Sequence, residues 1–181
     1  MAIFNTAPNV LLASVLRLPE REANFVWVGR LFHESIALYG LRERNLRIRS
    51  ATDLANYRIG TPRDSASHQQ LLRLGVSPAQ LETVGDPVQN VRKLLAGRLD
   101  LITAQPAVLA WHSRQEGLTV NPFQRLYPVL PASDFWLTAS PGSDPLLIAK
   151  LRAALTRLER TGTLAVLRTQ AGLEDTPDAE P

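Results

Sequence analysis

Three short stretches hold residue types whose spacing could do chemistry. The first is Ser14-Val15-Leu16-Arg17-Leu18-Pro19-Glu20-Arg21-Glu22, at the end of an apolar run. A guanidinium leaving a strand end presents a planar fork of N–H donors to a carboxylate, which an ammonium cannot match. The competing reading is a surface pair between Arg21 and Glu20 or Glu22, which would contribute little. The second is Gly60-Thr61-Pro62-Arg63-Asp64-Ser65-Ala66, between a short apolar run and a helical pattern. Backbone N–H groups at a helix start are free and attract anions, and a hydroxyl there adds a donor. An ordinary helix cap by Asp64 or Ser65 uses the same residues and contributes about 1 kcal/mol. The third is Gly97-Arg98-Leu99-Asp100-Leu101, followed by Thr103-Ala104-Gln105. Thr103 to Gln105 would sit at the C-terminal end of a strand, where open parallel sheets bind ligands. The plainer alternative is that Gly97 caps a helix and Asp100 ties down a turn.

Covalent and metal chemistry find less support. His33, His68 and His112 are scattered, with no His-x-x-x-His pair and no carboxylate at metal-ligand spacing. The chain lacks a Gly-x-Ser-x-Gly elbow, a dinucleotide fingerprint and a phosphate-binding Gly-Lys-Ser/Thr ending. His68 stands one turn into the helix after Ser65 and could reach the same crevice, although a solvated helix residue is the plainer reading. Neither a cofactor nor a metal is expected.

Composition bounds the rest. The chain has 181 residues, 45% hydrophobic and 20% charged, which excludes a disordered chain and allows one large domain or two lobes. With no cysteine there is no disulfide framework, thiolate metal site or cysteine nucleophile. No apolar run approaches the roughly 18 residues that span a bilayer. Met1 to Leu12 lacks the basic cluster and apolar run of a signal peptide. The net charge is +3, with Lys93 and Lys150 the only lysines among 20 basic residues and a C-terminal segment containing Glu174, Asp175, Asp178 and Glu180. No Lys/Arg run exceeds two residues and no Arg/aromatic repeat makes a stacking platform, so nucleic acid is not an expected partner.

The elements that must position these residues follow from periodicity. Strands are expected over Tyr57 to Thr61, Leu81 to Val84 and Leu99 to Thr103. They alternate with helices from Ser65 to Gly75, from Pro87 to Gly97 and from Pro106 to Glu116. Three strand–helix units in succession imply a parallel sheet with right-handed crossovers. Before them, Asn9 to Leu16 and Phe25 to Leu31 read as strands, the second interrupted by Gly29, and Ile36 to Arg49 as an exposed strand or hairpin. Ser50 to Leu54 resembles a capped helical turn. After them, Leu126 to Leu130 reads as an extended run stopped by Pro131, and Phe135 to Ser140 as another strand. An amphipathic helix opens at Asp144-Pro145 with Leu147, Leu151, Ala154, Leu155 and Leu158 inward, and a last helix runs from Thr163 to Gln170. This order implies two lobes: an incomplete first from 1–54 and 131–173, a second from 55–130, and a disordered tail over 174–181.

Together the three stretches resemble the family 3 extracellular solute-binding proteins of ABC transporters, the polar amino-acid type. The resemblance rests on Leu18-Pro19-Glu20-Arg21 before Phe25-Val26-Trp27-Val28-Gly29, on Asp53-Leu54 with Ile59-Gly60, and on Leu94-Leu95-Ala96-Gly97-Arg98-Leu99-Asp100. Ser143-Asp144-Pro145-Leu146 and Thr161-Gly162-Thr163 resemble the closing helices of that family. The resemblance implies an α/β, two-lobed, type II periplasmic-binding-protein-like fold that closes on a small carboxylate or amino-acid-like ligand without making or breaking a bond. It assigns ligand binding to Arg21 as the carboxylate grip, with Ser14 a nearby polar contact and Ser65 a second-lobe anion contact, and to Asp64, Gln105 and Trp27. It further implies a transporter permease as partner and a periplasmic location.

Two residues depart from that pattern: Leu18 replaces a Thr, and Gln105 stands where amino-acid binders often place an Asp for the ligand's ammonium. The resemblance also leads to the expectation that the first part of lobe one is lacking and that the exposed apolar surface drives self-association. Competing readings are an enzyme of the cyclohexadienyl dehydratase kind, with Glu20, Glu22 or His68 as general acid, and the ligand-sensing domain of a regulator.

Overall fold

A computed structural model describes Phe4, residues 6–118 and residues 120–173. The expected tail over 174–181 lies outside the described residues. The strands are β1 (Leu11–Leu16), β2 (Val26–Leu41), β3 (Ile59–Pro62), β4 (Leu81–Val84), β5 (Leu101–Ala104) and β6 (Phe123–Ala139). The helices are α1 (Ala66–Arg73), α2 (Pro87–Leu95), α3 (Pro106–Gln115), α4 (Pro145–Arg160) and α5 (Thr163–Ala171). The strands hydrogen-bond in the order β1-β6-β2-β5-β3-β4, which makes the fold α/β with mixed strand directions. The chain divides into two compact units, Met1–Glu34 with Ser133–Pro181, and Ser35–Ala132. Strands β2 and β6 each contribute residues to both.

The second unit (Ser35–Ala132) is built on the βα repeat that the sequence predicts. β3 pairs in parallel with β4 and with β5, the latter in the register Ile59↔Leu101 and Gly60↔Ile102. β2 adds an antiparallel neighbour, with Leu38 opposite Thr103. Both faces of this sheet are covered. Ala37, Tyr39, Leu41 and Ile102 pack with Val91 and Leu94 of α2 and Leu109 of α3 on one side. Leu38, Ile59 and Leu101 pack with Leu71 of α1 and with Leu54 on the other. Strands covered on both faces read as continuous apolar runs rather than as alternation, as residues 36–41 of β2 and Leu101–Ala104 of β5 do.

That double burial corrects three expectations. Residues 36–41 are not an exposed strand or hairpin: they continue β2, with Ala37 and Leu38 fully buried on opposite faces. Residues 35–54 consequently belong to the second unit rather than the first, and that unit ends at Ala132 rather than at residue 130. Nor does Pro131 stop the run from Leu126, because β6 continues through Pro128 and Pro131 to Ala139. β1 registers only against Phe135–Ala139, so neither proline has to donate into a ladder on that side.

In the first unit, β1 pairs antiparallel with β6 in the register Leu11↔Ala139 to Leu16↔Phe135, with a bulge between Leu12 and Val15. Val28 of β2, Ala139 and Ile148 are buried together, with Leu151 and Leu155 of α4 against them. The inward stripe predicted for α4 is therefore observed, with Ile148 added to it. Asp144 caps that helix by accepting from the Leu146 N–H at 2.9 Å, and Pro145 occupies the first turn, where no partner is needed. Gly29 does not interrupt β2. A Cβ there would lie 2.7 Å from Leu155 Cδ1, so its missing side chain is what lets α4 approach the strand.

Candidate functional site

In the second unit, the C-terminal ends of β3 and β5 lie side by side, and each leads directly into a helix. Their register places Thr61 beside Thr103, and the Thr103 hydroxyl donates to Thr61 Oγ1 at 2.9 Å. Ser67 Oγ lies 3.2 Å from Thr61 Oγ1 and 3.3 Å from Thr103 Oγ1, completing a buried hydroxyl cluster. Gly60 is required beneath it: a Cβ there would stand 2.5 Å from Leu99 Cδ1 and 2.8 Å from Asn90 Cγ.

Ser65 is the N-cap of α1. Its hydroxyl donates to Pro62 O at 2.7 Å and accepts from the His68 N–H at 3.1 Å. The hydroxyl singled out for an anion is thus already engaged in closing the helix. Asp64 is exposed in the left-handed region at φ 54°, a conformation that Asp tolerates through its short polar side chain. Gln105 precedes Pro106 at the start of α3 without capping it, and its Nε2 is buried with no partner among the described residues. His68 Nδ1 is in the same state. Unsatisfied buried polar groups are rare and costly; here the Gln105 amide has capacity for an added acceptor, and the His68 ring nitrogen for a donor or an acceptor according to its tautomer.

Asp100 anchors the strand that carries Thr103 and leads to Gln105. Its carboxylate accepts from the Arg58 backbone N–H at 2.9 Å, Arg58 Nε at 3.1 Å, Arg58 Nη2 at 3.2 Å and Arg44 Nη1 at 2.6 Å. Burial alone would raise its pKa. The Arg58 and Arg44 donors outweigh burial and hold it at about 2. The turn-tying role read for Asp100 is what the structure contains.

In the first unit, a pocket of about 590 Å³ is lined by residues that include Arg17, Glu22, His33, Asp134 and Trp136. Arg17 is paired with Glu22 through Nε–Oε1 at 2.7 Å and Nη2–Oε2 at 3.1 Å. Its guanidinium lies over the Trp27 ring at 5.1 Å and the Trp136 ring at 4.5 Å. The Glu22 hydrogen bond raises the Arg17 pKa, and the same bond lowers that of Glu22. Trp27 Nε1 donates to Glu22 O at 3.2 Å, and His33 Nδ1 lies 2.8 Å from Asp134 Oδ1.

Arg21 is half-buried in the 3-10 helix Pro19–Asn24, and its guanidinium has no hydrogen bond or ion pair among the described residues. Ser14 sits exposed in the β1 bulge at φ 61°. Of the residues singled out in the first unit, Trp27 is thus brought into an organised cluster, whereas Arg21 and Ser14 have no side-chain partner among the described residues. Sequence reasoning passed over Arg17 and Trp136. Arg17 and Glu22 are not at helical spacing, and Trp136 meets Trp27 from a strand more than a hundred positions away; only the density of Arg, Glu and Trp around Pro19 hinted at the cluster.

No family model matches the chain, and no curated protein matches it. Solved structures do. One is a histidine kinase sensor domain described as similar to periplasmic binding proteins, at TM-score 0.73 and 19% identity, covering 94% of this chain and 71% of that one. Another is the arginine-, lysine-, histidine-binding protein ArtJ from Geobacillus stearothermophilus, at TM-score 0.74 and 15% identity, covering 92% of this chain and 70% of that one. A third is the substrate-binding protein of an amino acid ABC transporter, at TM-score 0.72 and 13% identity, covering 88% of this chain and 69% of that one. These likenesses establish that the chain shares the α/β fold of periplasmic-binding-protein-like structures.

Proposed function

We propose that this chain is a solute-binding protein that takes a small carboxylate, serving an ABC uptake system at the periplasmic face of a membrane without turning its ligand over. The observation that carries the reading is the buried, unpartnered Gln105 Nε2 at the C-terminal end of β5, with unpartnered His68 Nδ1 in the neighbouring helix. Both stand where open α/β sheets receive ligands. Within the first unit, Arg21 is assigned to a carboxylate, because its guanidinium has no hydrogen bond or ion pair among the described residues, whereas Glu22 engages Nε and Nη2 of Arg17.

Gln105 also sets the ligand class. Its amide carries no charge to pair with an ammonium, and its buried N–H seeks an acceptor, so the ligand presents an oxygen at that point rather than an amine. The likeness to a histidine kinase sensor domain supports a second reading, in which the same binding event is sensed rather than coupled to uptake. Self-association belongs to the proposal as well. β1 ends the strand order, and Leu11 on it is 41% exposed.

A thermal-shift screen of organic acids, amino acids and polyamines tests the reading. Short polar carboxylates with neither an α-amino group nor a hydrocarbon chain are expected to raise the melting temperature of the unmodified chain, and Arg21→Ala to remove the shift. Gln105→Asp is expected to move the preference toward α-amino acids. No shift with any carboxylate, or an equal shift in Arg21→Ala, refutes the assignment.

A further inference from the structure

The first unit contains a second groove, on the side of β2 that faces α4 and α5, with a volume of about 450 Å³. That volume lies in the range of small-molecule sites. Its lining combines the apolar Val28, Gly29, Leu155 and Leu164 with Arg30 and Arg152. The remaining charges of the lining cancel. Arg168 donates from Nε to Leu31 O at 2.5 Å and from Nη1 and Nη2 to the two Glu159 oxygens, each at 3.2 Å. With a side chain only 12% exposed, Arg168 is a wall rather than a free cation.

Arg152 and Arg30 differ from it. Arg152 donates Nη2 to Trp27 O at 2.8 Å, and Arg30 reaches Asp134 Oδ1 through Nη1 at 3.5 Å. Each guanidinium is held at one end, and its other N–H groups have no partner among the described residues. Two arginines with spare donors in an otherwise apolar lining, with the one lining carboxylate already spent, complement a single type of occupant.

We propose that this groove is a binding site for a small monoanion with an apolar body, separate from the residues assigned to the solute above. The carboxylate takes the spare donors of Arg152 and Arg30, and the hydrocarbon lies on Val28, Leu155 and Leu164. Because Arg152 also holds the Trp27 carbonyl and Arg30 holds Asp134, occupancy here bears on two residues beside the Arg17 pocket.

Isothermal titration of hexanoate onto the full chain tests the site, with hexan-1-ol supplying the apolar body alone and sulfate the charge alone. Hexanoate is expected to bind saturably, and hexan-1-ol and sulfate not to. Arg152→Ala and Arg30→Ala are each expected to weaken binding about tenfold, as for loss of a charge-assisted hydrogen bond. Thr156→Trp, on the same lining, fills the groove without touching the Trp27 carbonyl and is expected to block binding, so a folding defect in Arg152→Ala does not decide the matter. Because hexanoate is itself a carboxylate that the solute site could take, the titrations are repeated in the Arg21→Ala chain, where a saturable hexanoate site is expected to remain and so to be separate from the solute site. Absence of saturable binding, an equal response to hexan-1-ol, unchanged affinity in Arg30→Ala and Thr156→Trp, or loss of binding in Arg21→Ala would each overturn the proposal.

Discussion

Replacing Asp100 by Asn tests how the end of β5 is held. Asp100 is 8% exposed, and its carboxylate receives the Arg58 backbone N–H, two donors of the Arg58 guanidinium and one of Arg44. Burial pushes its pKa up, and these donors bring it down to about 2, against 3.8 for a free aspartate. At 1.36 kcal/mol for each pH unit, that difference is worth about 2 kcal/mol of folding stability. The sign follows from a depressed carboxyl. The contribution is present in full above the unfolded value near 4 and is lost as pH falls toward the folded value near 2. Asn keeps the shape but loses the charge, and its NH2 group cannot accept from a guanidinium. Urea denaturation followed by far-ultraviolet circular dichroism at pH 7 is expected to show Asp100→Asn less stable by about 2 kcal/mol. The gap should narrow as pH falls from 4 to 2, because the unmodified chain loses the contribution that the variant already lacks. A gap below about 0.5 kcal/mol at pH 7, the scale of an ordinary surface change, would refute the reasoning. So would a gap that stays constant down to pH 2.

Gly60→Ala should destabilise the second unit by about 1–3 kcal/mol, because the new methyl meets Leu99 and Asn90 side chains that are both buried; a thermal melt within a degree of the unmodified chain would contradict this. Ser65→Ala should cost about 1 kcal/mol through loss of the α1 cap. If its stability is unchanged, the hydroxyl's bonds to Pro62 O and the His68 N–H are not what starts the helix. Sedimentation velocity over a range of concentrations should show association, which Leu11→Lys on β1 reduces; a strict monomer at high concentration excludes it.

The βα repeat was legible because its signals are local. Pro87, Pro106 and Pro145 open helices where a missing N–H has no cost, and short apolar runs separate the helices at even spacing. The inward stripe of α4 was legible for the same reason: a period of 3.6 needs no knowledge of what the helix packs against. Residues 36–41 were misread because a strand buried on both faces has no alternation to detect, and the Arg residues that follow it suggested exposure. The path of β6 through Pro131 depends on which side of the strand carries a neighbour, and no local pattern encodes that.

By itself, the sequence determined the α/β class, the helix starts and the sheet end that carries Thr103 and Gln105, since periodicity, caps and strand order act over a few residues at a time. The tertiary structure alone decided which functional groups are spent and which are spare. Among the described residues, Ser65 is taken by its own helix, Arg17 by Glu22 and two indoles, and Arg168 by Glu159, while Arg21, Arg152 and Gln105 Nε2 keep donors to offer. Several of these partners lie within nine positions, but the Trp136 ring over Arg17 and the Leu31 carbonyl on Arg168 come from more than a hundred positions away, and such pairing exists only once the chain has folded.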